Sequence, residues 1–413
     1  MSDPGRPRVV LGVGGGIAAY KSCELLRLLT ESGRDVRVVP TQSALTFVGA
    51  ATWEALSGKP VHTDVFTNVP EVPHVRIGQE ADLLLVAPAT ADLLAKAAHG
   101  LADDLLTNTL LTARCPVVFA PAMHTEMWEH PATQANVATL RERGAIVIEP
   151  AVGRLTGKDS GKGRLPDPEQ LYGIADDILV HGAAQHRQDL AGRFVLVSAG
   201  GTREYIDPVR FIGNRSSGRQ GIALAEAAVA RGATVTLVAA NVQVPPPAGV
   251  DVVSVESTAQ LHEAMTARAG DADAVVMAAA PADFRPASSH STKIKKAPDR
   301  AAPQFELVEN PDILADLVAR RTSSGEETVI VGFAAETGDD EASVLEHARA
   351  KLARKGCDLL VVNDVSAGRA FERADNEAVI LAADGDAEHV PFGPKIVLAH
   401  AIWDAVVHRM DLA

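Results

Sequence analysis

The chain has 413 residues, which at roughly 150 residues per domain predicts two or three domains. It carries 39 lysines and arginines against 53 aspartates and glutamates, a net charge of −14. This balance disfavours a general nucleic-acid binder, since such proteins neutralise phosphates with a basic face. Apolar residues make up 46%, as in a globular protein, and no apolar run reaches the roughly 18 residues that a membrane span needs. We therefore expect neither a nucleic acid nor a membrane as partner.

The three cysteines, Cys23, Cys115 and Cys357, lie far apart and form no Cys-x-x-Cys pair. This pattern fits neither a disulfide framework nor a zinc site, and it favours a reducing compartment. We therefore predict a cytoplasmic protein. The sequence alone identifies no metal ligands.

Short apolar segments alternate with helical patterns along the whole chain. This alternation predicts an α/β fold with doubly wound parallel sheets covered by helices. In the first half, strands are predicted at 9–14, 36–40, 82–88 and 116–121.

A glycine-rich turn, GVGGGIAAYK (12–21), joins the first predicted strand to the first helix. Backbone amides without side chains can approach a phosphate at such a helix start. Ile17 replaces the third glycine of a dinucleotide motif, and Val39-Pro40-Thr41 stands where a dinucleotide enzyme has an acidic residue. A mononucleotide is therefore favoured over NAD. An NAD-dependent dehydrogenase, or a tight turn without a ligand, is the alternative at this point.

The strand and helix pattern restarts near residue 193, which predicts a second α/β domain. The polar segment 181–192 is predicted to be a linker between domains at 1–180 and 193–413. Two Gly-rich or basic stretches, 153–169 and 286–303, are predicted to be surface loops that act as lids or binding loops. Further strands are predicted in RFVLVSAGGT, TVTLVAA, AVVMAAAPA, TVIVGFAAE and DLLVVNDV, and a helix at 218–232.

The segment SAGGTREYIDPVRFIGNRSSGRQG (198–221) contains two turns that can hold an anion. Asn214, Ser216, Ser217 and Gly218 lead into a helix start and present hydroxyls and amides. Ordinary capping of the helix is the alternative. Two such turns so close together favour a phosphorylated ligand.

Basic residues of the second half fit transfer of a nucleotide. KIKK (293–296) follows a predicted strand that ends near Asp283, while Lys351 and Lys355 share one helix face. NPDIL (310–314) is predicted to begin a helix with its asparagine as the cap and its proline first in the helix. Lysines over a triphosphate and an aspartate near a metal ion suit nucleotidyl transfer. A solvated lysine face is the alternative, and the absence of a Walker A motif excludes a P-loop ATPase.

The first half resembles the homo-oligomeric flavin-containing cysteine decarboxylases. GGGIAAYK, the Ser43 region, PHVRI, APATAD and PAMHTEMW occur in that family's order. The resemblance implies FMN-assisted decarboxylation of a C-terminal cysteine, with His74 as the base. It also implies that FMN is held by Gly15, Gly16, Ile17, Ser43 and Thr90.

Two positions depart from the pattern of the decarboxylase family. His124 stands where the family has an asparagine that grips the substrate carboxylate, and a protonated imidazole can take that role. Gly157 stands where many members have a cysteine in a flap, with Lys158 or Asp159 as the candidate replacement. A ligase that carries an inert FMN-binding assembly domain therefore stays open as the alternative.

The second half resembles the phosphopantothenate–cysteine ligases, and both halves together resemble the bifunctional enzymes of coenzyme A biosynthesis over about 8–408. This resemblance implies that CTP, with Mg²⁺, activates 4′-phosphopantothenate as an acyl-cytidylate that cysteine then attacks. The first half would decarboxylate the product to 4′-phosphopantetheine. Trimers through the first domain and dimers through the second would close into a dodecamer.

The same resemblance implies roles for individual residues. Lys293 would assist formation of the acyl-cytidylate, and Asn214 would serve the attack by cysteine. The substrate turn would be formed by Ser216, Ser217 and Gly218. The implied nucleotide contacts are Ala279, Asp283, Lys293, Asn310, Pro311, Asp312, Ile313, Phe333, Lys351 and Lys355.

Overall fold

The computed structural model describes residues 6–65, 73–155, 160–183, 188–295, 303–336, 344–364 and 375–412. Contacts between residues divide the chain into two compact units, 1–187 and 188–413. This boundary falls inside the segment that the sequence predicts to be a linker. No helix within the described ranges is both long and apolar enough to cross a membrane.

The first unit alternates strands and helices. Its strands are β1 Arg8–Val13, β2 Asp35–Pro40, β3 Leu83–Ala89, β4 Val117–Pro121, β5 Ile146–Val147, β6 Ala151–Arg154 and β7 Ser160–Arg164. Its helices are α1 Lys21–Glu31, α2 Ala44–Phe47, α3 Ala50–Ser57, α4 Pro73–Glu80, α5 Ala91–His99, α6 Leu105–Thr112, α7 Thr125–Trp128, α8 Pro131–Glu142 and α9 Pro168–His181, with a 3₁₀ turn at Ile17–Tyr20 before α1.

The sheet of the first unit is parallel, with the strand order β2-β1-β3-β4-β5. Helices α1, α3 and α9 cover one face, and α4, α5, α6 and α8 cover the other. Both faces are thus buried, which explains the continuous apolar run of β3. The strand order reverses between β1 and β3, and ligands of such sheets bind at the carboxyl ends of the strands beside this point.

Parts of the stretch 153–169, predicted to be a surface loop, are regular structure. Arg154 and Ser160–Arg164 belong to the antiparallel hairpin β6–β7, and α9 begins at Pro168. The loop prediction is wrong for these residues because glycines and charges hide the alternation by which a strand is identified. Residues 156–159, which follow β6 in the sequence and include Gly157, Lys158 and Asp159, lie outside the described residues.

The second unit has a larger sheet. Its strands are β8 Phe194–Gly200, β9 Glu204–Tyr205, β10 Phe211–Ile212, β11 Thr234–Ala240, β12 Val250–Val255, β13 Ala274–Met277, β14 Phe284–Pro286, β15 Leu307–Glu309, β16 Val329–Glu336, β17 Leu359–Asp364, β18 Asp375–Ala382 and β19 Ala387–Pro394. Its helices are α10 Arg219–Ala230, α11 Thr258–Thr266, α12 Ile313–Ser324, α13 Val344–Lys355 and α14 Lys395–Leu412, with a 3₁₀ turn at Ala269–Asp271.

The main sheet of the second unit has the order β12-β11-β8-β13-β16-β17-β18-β19. The first six strands are parallel, whereas β18 and β19 add an antiparallel edge that the sequence did not predict. Helices α10 and α14 pack on one face, and α11, α12 and α13 pack on the other. The predicted doubly wound α/β fold is confirmed in both units, and the order of the second unit reverses between β8 and β13.

The predicted linker contains residues of both units. His181 ends α9, whereas Leu190 is fully buried in the second unit and its N–H donates to the carbonyl oxygen of Arg231 at 3.0 Å. The guanidinium of Arg231, itself 2% exposed, donates to both carboxylate oxygens of Asp189 at 2.8 and 2.6 Å. This bidentate pair fixes the start of the second unit.

Candidate active sites

The glycine turn after β1 lies against the ends of the neighbouring strands. Gly14 N donates to the carbonyl oxygen of Pro88 at 2.9 Å, and a Cβ added at Gly14 would come within 2.5 Å of that oxygen. A Cβ at Gly15 would collide with the side chain of Ser43. Glycine is thus required at both positions, and the turn packs between the β2 and β3 ends.

Thr90 borders the same turn from the β3 side. Its Cγ2 lies 3.4 Å from a Cβ added at Gly14 and 3.9 Å from one added at Gly16, while its Oγ1 accepts from Leu93 N at 3.3 Å and caps α5. The predicted cofactor segments around Gly15, Ser43 and Thr90 therefore meet at the point where the strand order reverses.

This arrangement fits a flavin mononucleotide. Gly15 and Gly16 are only partly buried, so a phosphate can approach the backbone there, and Ser43 and Thr90 flank the turn. Ile17 follows the turn with 67% of its surface exposed, which gives an apolar surface on which a ring system can lie. The residues present can thus hold both the charged and the aromatic part of such a group.

His124 lies beside the β6–β7 hairpin. It occupies the cap position of α7, and its side chain makes no capping hydrogen bond. Met123 N donates to the carbonyl oxygen of Gly163 at 2.9 Å, and any side chain at Gly163 would collide with Met123. A Cβ at Gly161 would collide with the hydroxyl of Thr125. The hairpin is therefore docked directly on the turn that carries His124.

Ion pairs hold the base of this hairpin. Glu149 accepts from Lys162 at 2.6 Å and from Arg141 at 2.8 Å, and Arg164 binds Asp167 at 2.6 Å. Burial disfavours the charged form of Glu149, but the charge of Lys162 and the bond from Arg141 outweigh it, so the pKa of Glu149 is lowered. Glu149 therefore stays ionised and joins the hairpin to α8.

His74 lies in the first turn of α4, where its carbonyl oxygen accepts from Thr112 Oγ1 at 2.8 Å. Its ring Nδ1 is buried and has no hydrogen-bond partner in the described part of the chain. Its role as a base stays a prediction.

A cavity of about 630 Å³ lies at the carboxyl edge of the second sheet, and we call it the carboxyl-edge cavity. It is lined by nearly all residues that the sequence predicts for substrate and nucleotide. These are Asn214, Ser216, Ser217, Gly218, Ala279, Asp283, Asn310, Pro311, Asp312, Ile313, Phe333, Lys351 and Lys355. Residues far apart in the sequence thus form one site.

Two side-chain hydrogen bonds and one glycine hold the substrate turn at Ser216, Ser217 and Gly218. Asn214 Nδ2 donates to the carbonyl oxygen of Pro281 at 2.8 Å, and Ser216 Oγ accepts from Gly218 N at 3.3 Å. Gly218 has φ +81°, and a Cβ there would lie 2.7 Å from Val242 Cγ1. Only glycine fits this position before α10.

The prediction that Asn310 caps α12 is wrong. Asp312 is the cap, with its carboxylate accepting from Ala315 N at 3.1 Å. Asn310 instead donates through Nδ2 to the carbonyl oxygen of Ala282 at 2.9 Å and accepts at Oδ1 from Arg285. The amide of Asn310 thus ties the NPDI turn to the loop after β13, and the helix starts two residues later than predicted.

Lys355 forms an ion pair with Asp312 across α13 and α12. Burial raises the pKa of Asp312, but the hydrogen bond from Lys355 and the bond from Ala315 N outweigh it, so the pKa is lowered overall. Asp312 therefore carries a full charge that holds Lys355 at the cavity wall, in register with Lys351 one turn earlier.

Lys293 is not among the residues that line the carboxyl-edge cavity. Its side chain is exposed, and the next residue, Ile294, donates its N–H to Asp207 at 3.1 Å and accepts from Arg210 at 3.3 Å. Lys296 lies outside the described residues. The role predicted for Lys293 stays a prediction.

Sequence reasoning missed several residues that line the cavity, among them Gln220, Asn363 and Lys395. Asn363 could have been found, because it ends the VVND strand at the edge where ligands bind. Gln220 and Lys395 belong to α10 and α14, and no local pattern marks them.

The chain matches two family models in tandem. Residues 2–179 match the Flavoprotein family, and residues 190–410 match the DNA/pantothenate metabolism flavoprotein C-terminal domain. These matches define a two-domain enzyme class in which a flavoprotein unit precedes a pantothenate-metabolism unit.

Relatives of nearly the same length identify the family. The chain is 61% identical over 404 residues to the coenzyme A biosynthesis bifunctional protein CoaBC of Mycobacterium tuberculosis strain H37Rv, covering 97% of this chain and 96% of the relative. It is 40% identical over 398 residues to the CoaBC protein of Vibrio vulnificus strain CMCP6, covering 96% of each. A crystal structure of a CoaBC C-terminal domain is 33% identical, covers 55% of this chain and 100% of that one, and gives a TM-score of 0.46. The chain belongs to the family of bifunctional coenzyme A biosynthesis proteins, and it is an enzyme with decarboxylase and ligase activities.

Proposed function

We propose that the second unit joins 4′-phosphopantothenate to cysteine with CTP, and that the first unit decarboxylates the product to 4′-phosphopantetheine with FMN. The observation that carries the ligase half is the meeting of Asn214, the Ser216–Gly218 turn, Lys351 and Lys355 in one cavity. A helix start with serine hydroxyls on one side, and two lysines on the other, suits two phosphorylated reactants.

In the first step, a carboxylate oxygen of the acid attacks the α-phosphorus of CTP, and pyrophosphate leaves. The negative charge that moves between the phosphates is offset by Lys351 and Lys355. Magnesium usually binds through one or two carboxylates together with substrate phosphates. Asp283 in the cavity wall is the proposed carboxylate.

In the second step, the amine of cysteine attacks the carbonyl carbon of the acyl-cytidylate, and CMP leaves as the amide forms. Asn214 is anchored through its Nδ2 to Pro281, which leaves its Oδ1 to accept a hydrogen bond from the incoming amine. This arrangement supports the role that the sequence predicts for Asn214.

In the first unit, Gly15, Gly16, Ile17, Ser43 and Thr90 would hold FMN. Bound FMN supplies the two-electron chemistry that makes the cysteine carboxylate a leaving group. His124 would bind that carboxylate beside the hairpin, and His74 would act as the base. An FMN-binding assembly domain without turnover is the competing account, since Gly157 replaces the flap cysteine of the family.

We further propose that trimers through the first unit and dimers through the second build a dodecamer. Both units expose large apolar side chains that association would cover. In the first unit these include Tyr20 and Leu111, and in the second Val209 and Phe211. A cytoplasmic location suits the free thiols of Cys23, Cys115 and Cys357.

Two measurements test the proposed ligands. Cofactor released from the purified protein by heat should have the mass of FMN. Recovery of NAD, or of no flavin, would contradict the proposed binding of FMN by the first unit. CMP should form from CTP only when both 4′-phosphopantothenate and cysteine are present, and it should appear together with the amide product. Equal turnover with ATP, or no turnover with CTP, would contradict the proposed use of CTP by the second unit.

A further inference from the structure

Asp207 ties the loop that carries Lys293 to the turn between β9 and β10. The residue is 1% exposed, and its carboxylate accepts four hydrogen bonds. Oδ1 accepts from the backbone N–H groups of Val209 and Arg210, both at 2.8 Å. Oδ2 accepts from Arg210 Nη1 at 2.8 Å and from Ile294 N at 3.1 Å. A buried carboxylate thus holds the residue that follows Lys293.

Backbone oxygens add two further bonds between this loop and the same turn. His290 N donates to the carbonyl oxygen of Ile206 at 2.9 Å, and Arg210 Nη1 donates to the carbonyl oxygen of Ile294 at 3.3 Å. The loop begins after β14, whose first residue, Phe284, lines the carboxyl-edge cavity. It therefore leaves the cavity wall and is fastened at His290 and Ile294, on either side of Lys293.

The β9–β10 hairpin joins this anchor to the substrate end of the cavity. Its two strands are antiparallel, and Asn214, which lines the cavity, follows β10 closely. At the start of the hairpin, Glu204 is 6% exposed and accepts from Thr258 N at 2.8 Å. One short, anchored hairpin thus leads to Asn214 at one end and holds the loop of Lys293 at its turn.

We propose that Asp207 is a positioning residue of the first ligase step, which acts through Lys293 by fixing the path of its loop. This inference rests on the function proposed above and on the role that the resemblance implies for Lys293. Because Lys293 does not line the cavity wall, its approach to the reactants depends on that path. Small errors in the placement of a reacting group are costly in rate, so an anchor one residue away matters.

The four donors around Asp207 require a carboxylate. Asparagine has nearly the same shape, but one end of its amide is an NH₂ group that cannot accept a hydrogen bond. In one orientation this group faces the N–H groups of Val209 and Arg210, and in the other it faces Ile294 N and Arg210 Nη1. Asp207→Asn therefore loosens the anchor with little change in volume.

A double-mutant cycle tests whether Asp207 acts through Lys293. The single-turnover release of pyrophosphate from CTP and 4′-phosphopantothenate is compared in Asp207→Asn, Lys293→Ala and the double variant. We expect each single variant to be about tenfold slower than the parent, and the double variant to be within about twofold of Lys293→Ala. A double variant whose loss equals the product of the two single losses overturns the proposal, because Asp207 then acts independently of Lys293.

Asp273→Asn is the matched control. Asp273 accepts from Phe194 N and from Arg193 Nη1, both at 2.8 Å, so it also joins a backbone N–H to a guanidinium. It precedes β13 at the amino edge of the sheet and does not line the cavity. We expect this variant to release pyrophosphate at the parent rate. A loss as large as that of Asp207→Asn would show that both report general stability, and it would overturn the proposal.

Hydrogen exchange of the unaltered enzyme keeps the proposal testable if Asp207→Asn fails to fold. We expect the Ile294 N–H to exchange at least about tenfold more slowly than an unstructured amide, since its acceptor is buried. Exchange at the unprotected rate overturns the proposal.

The single variants separate this inference from its premise. A Lys293→Ala enzyme with the parent rate refutes the role of Lys293, and the inference fails with it. A slow Lys293→Ala enzyme beside an Asp207→Asn enzyme with the parent rate refutes only the inference. A parent enzyme that forms no CMP from CTP, 4′-phosphopantothenate and cysteine refutes the proposed function itself.

Discussion

Asn214 donates its side-chain N–H to the carbonyl oxygen of Pro281 at 2.8 Å. This bond joins the substrate turn before α10 to the loop after β13, two segments separated by 67 residues. Replacement by aspartate removes the donor and places a carboxylate against a carbonyl oxygen. For Asn214→Asp we expect the acyl-cytidylate to accumulate, because the second step loses its positioned amide while the lysines of the first step are untouched.

Mass spectrometry of the quenched reaction would detect that intermediate. The role of Asn214 would be contradicted if the Asn214→Asp variant formed the amide product at the parent rate and no acyl-cytidylate accumulated.

Thr202 holds the loop after β13 in place by a hydrogen bond. Its Oγ1 accepts from Ala282 N at 2.8 Å and lies 2.9 Å from Thr258 Oγ1, all in a buried environment. In Thr202→Val the Ala282 N–H loses its partner, which costs about 1–3 kcal/mol. We expect the ligase rate to fall at least tenfold, because Asp283 follows this amide, while decarboxylation of added phosphopantothenoylcysteine is unchanged.

Thr236→Val is the control for that substitution. Thr236 is a buried threonine of β11 that does not line the cavity. If both variants lose the same share of ligase activity, Thr202 acts through general stability and not through the loop.

Glu149 anchors the β6–β7 hairpin, and its lowered pKa sets the pH range of that anchor. A carboxyl whose pKa is lower in the folded protein contributes stability above its ordinary pKa and loses it as the pH falls through the folded value. We therefore expect the hairpin to stay docked down to about pH 5, near the ordinary pKa of a glutamate, and to loosen only at lower pH.

Hydrogen exchange of residues 160–164 would follow this docking. Glu149→Gln should raise exchange there at neutral pH and lower the decarboxylase rate while ligation continues. Equal protection in the variant and the parent would show that the ion pairs with Lys162 and Arg141 do not hold the hairpin.

Cys357 should be the least reactive of the three thiols. It is 1% exposed, and burial raises its pKa to about 11. The thiolate is the reactive form, so alkylation at about pH 8 should label Cys23 and Cys115, which are only partly buried, well before Cys357. Peptide mapping after brief treatment with iodoacetamide checks this order, and early labelling of Cys357 in folded protein would contradict it.

Most of the parallel strands could be predicted from the sequence, namely β1 to β4 in the first unit and β8, β11, β13, β16 and β17 in the second, because strands buried on both faces form continuous apolar runs. The cap of α12 could not, since asparagine and aspartate are equally good caps and only the fold shows that Asn310 binds Ala282. The β6–β7 hairpin escaped prediction because it is held by Gly163 against Met123 and by Lys162 on Glu149, contacts between segments distant in sequence.

Within the candidate sites, residues at strand ends and in glycine turns were predictable, since parallel sheets bring those positions together. Gln220 and Lys395 were not. They reach the cavity through the packing of α10 on α14, and they lie 175 positions apart, so no local pattern in the sequence links them.

The central claim is that one chain performs ligation and then decarboxylation, and cysteine labelled with ¹³C at its carboxyl tests it most directly. With 4′-phosphopantothenate and CTP, the account predicts that ¹³CO₂ appears after CMP and reaches the same amount. It also predicts no ¹³CO₂ when CTP is omitted. Formation of CMP and phosphopantothenoylcysteine without ¹³CO₂ would contradict the account and show that the flavoprotein unit is inert.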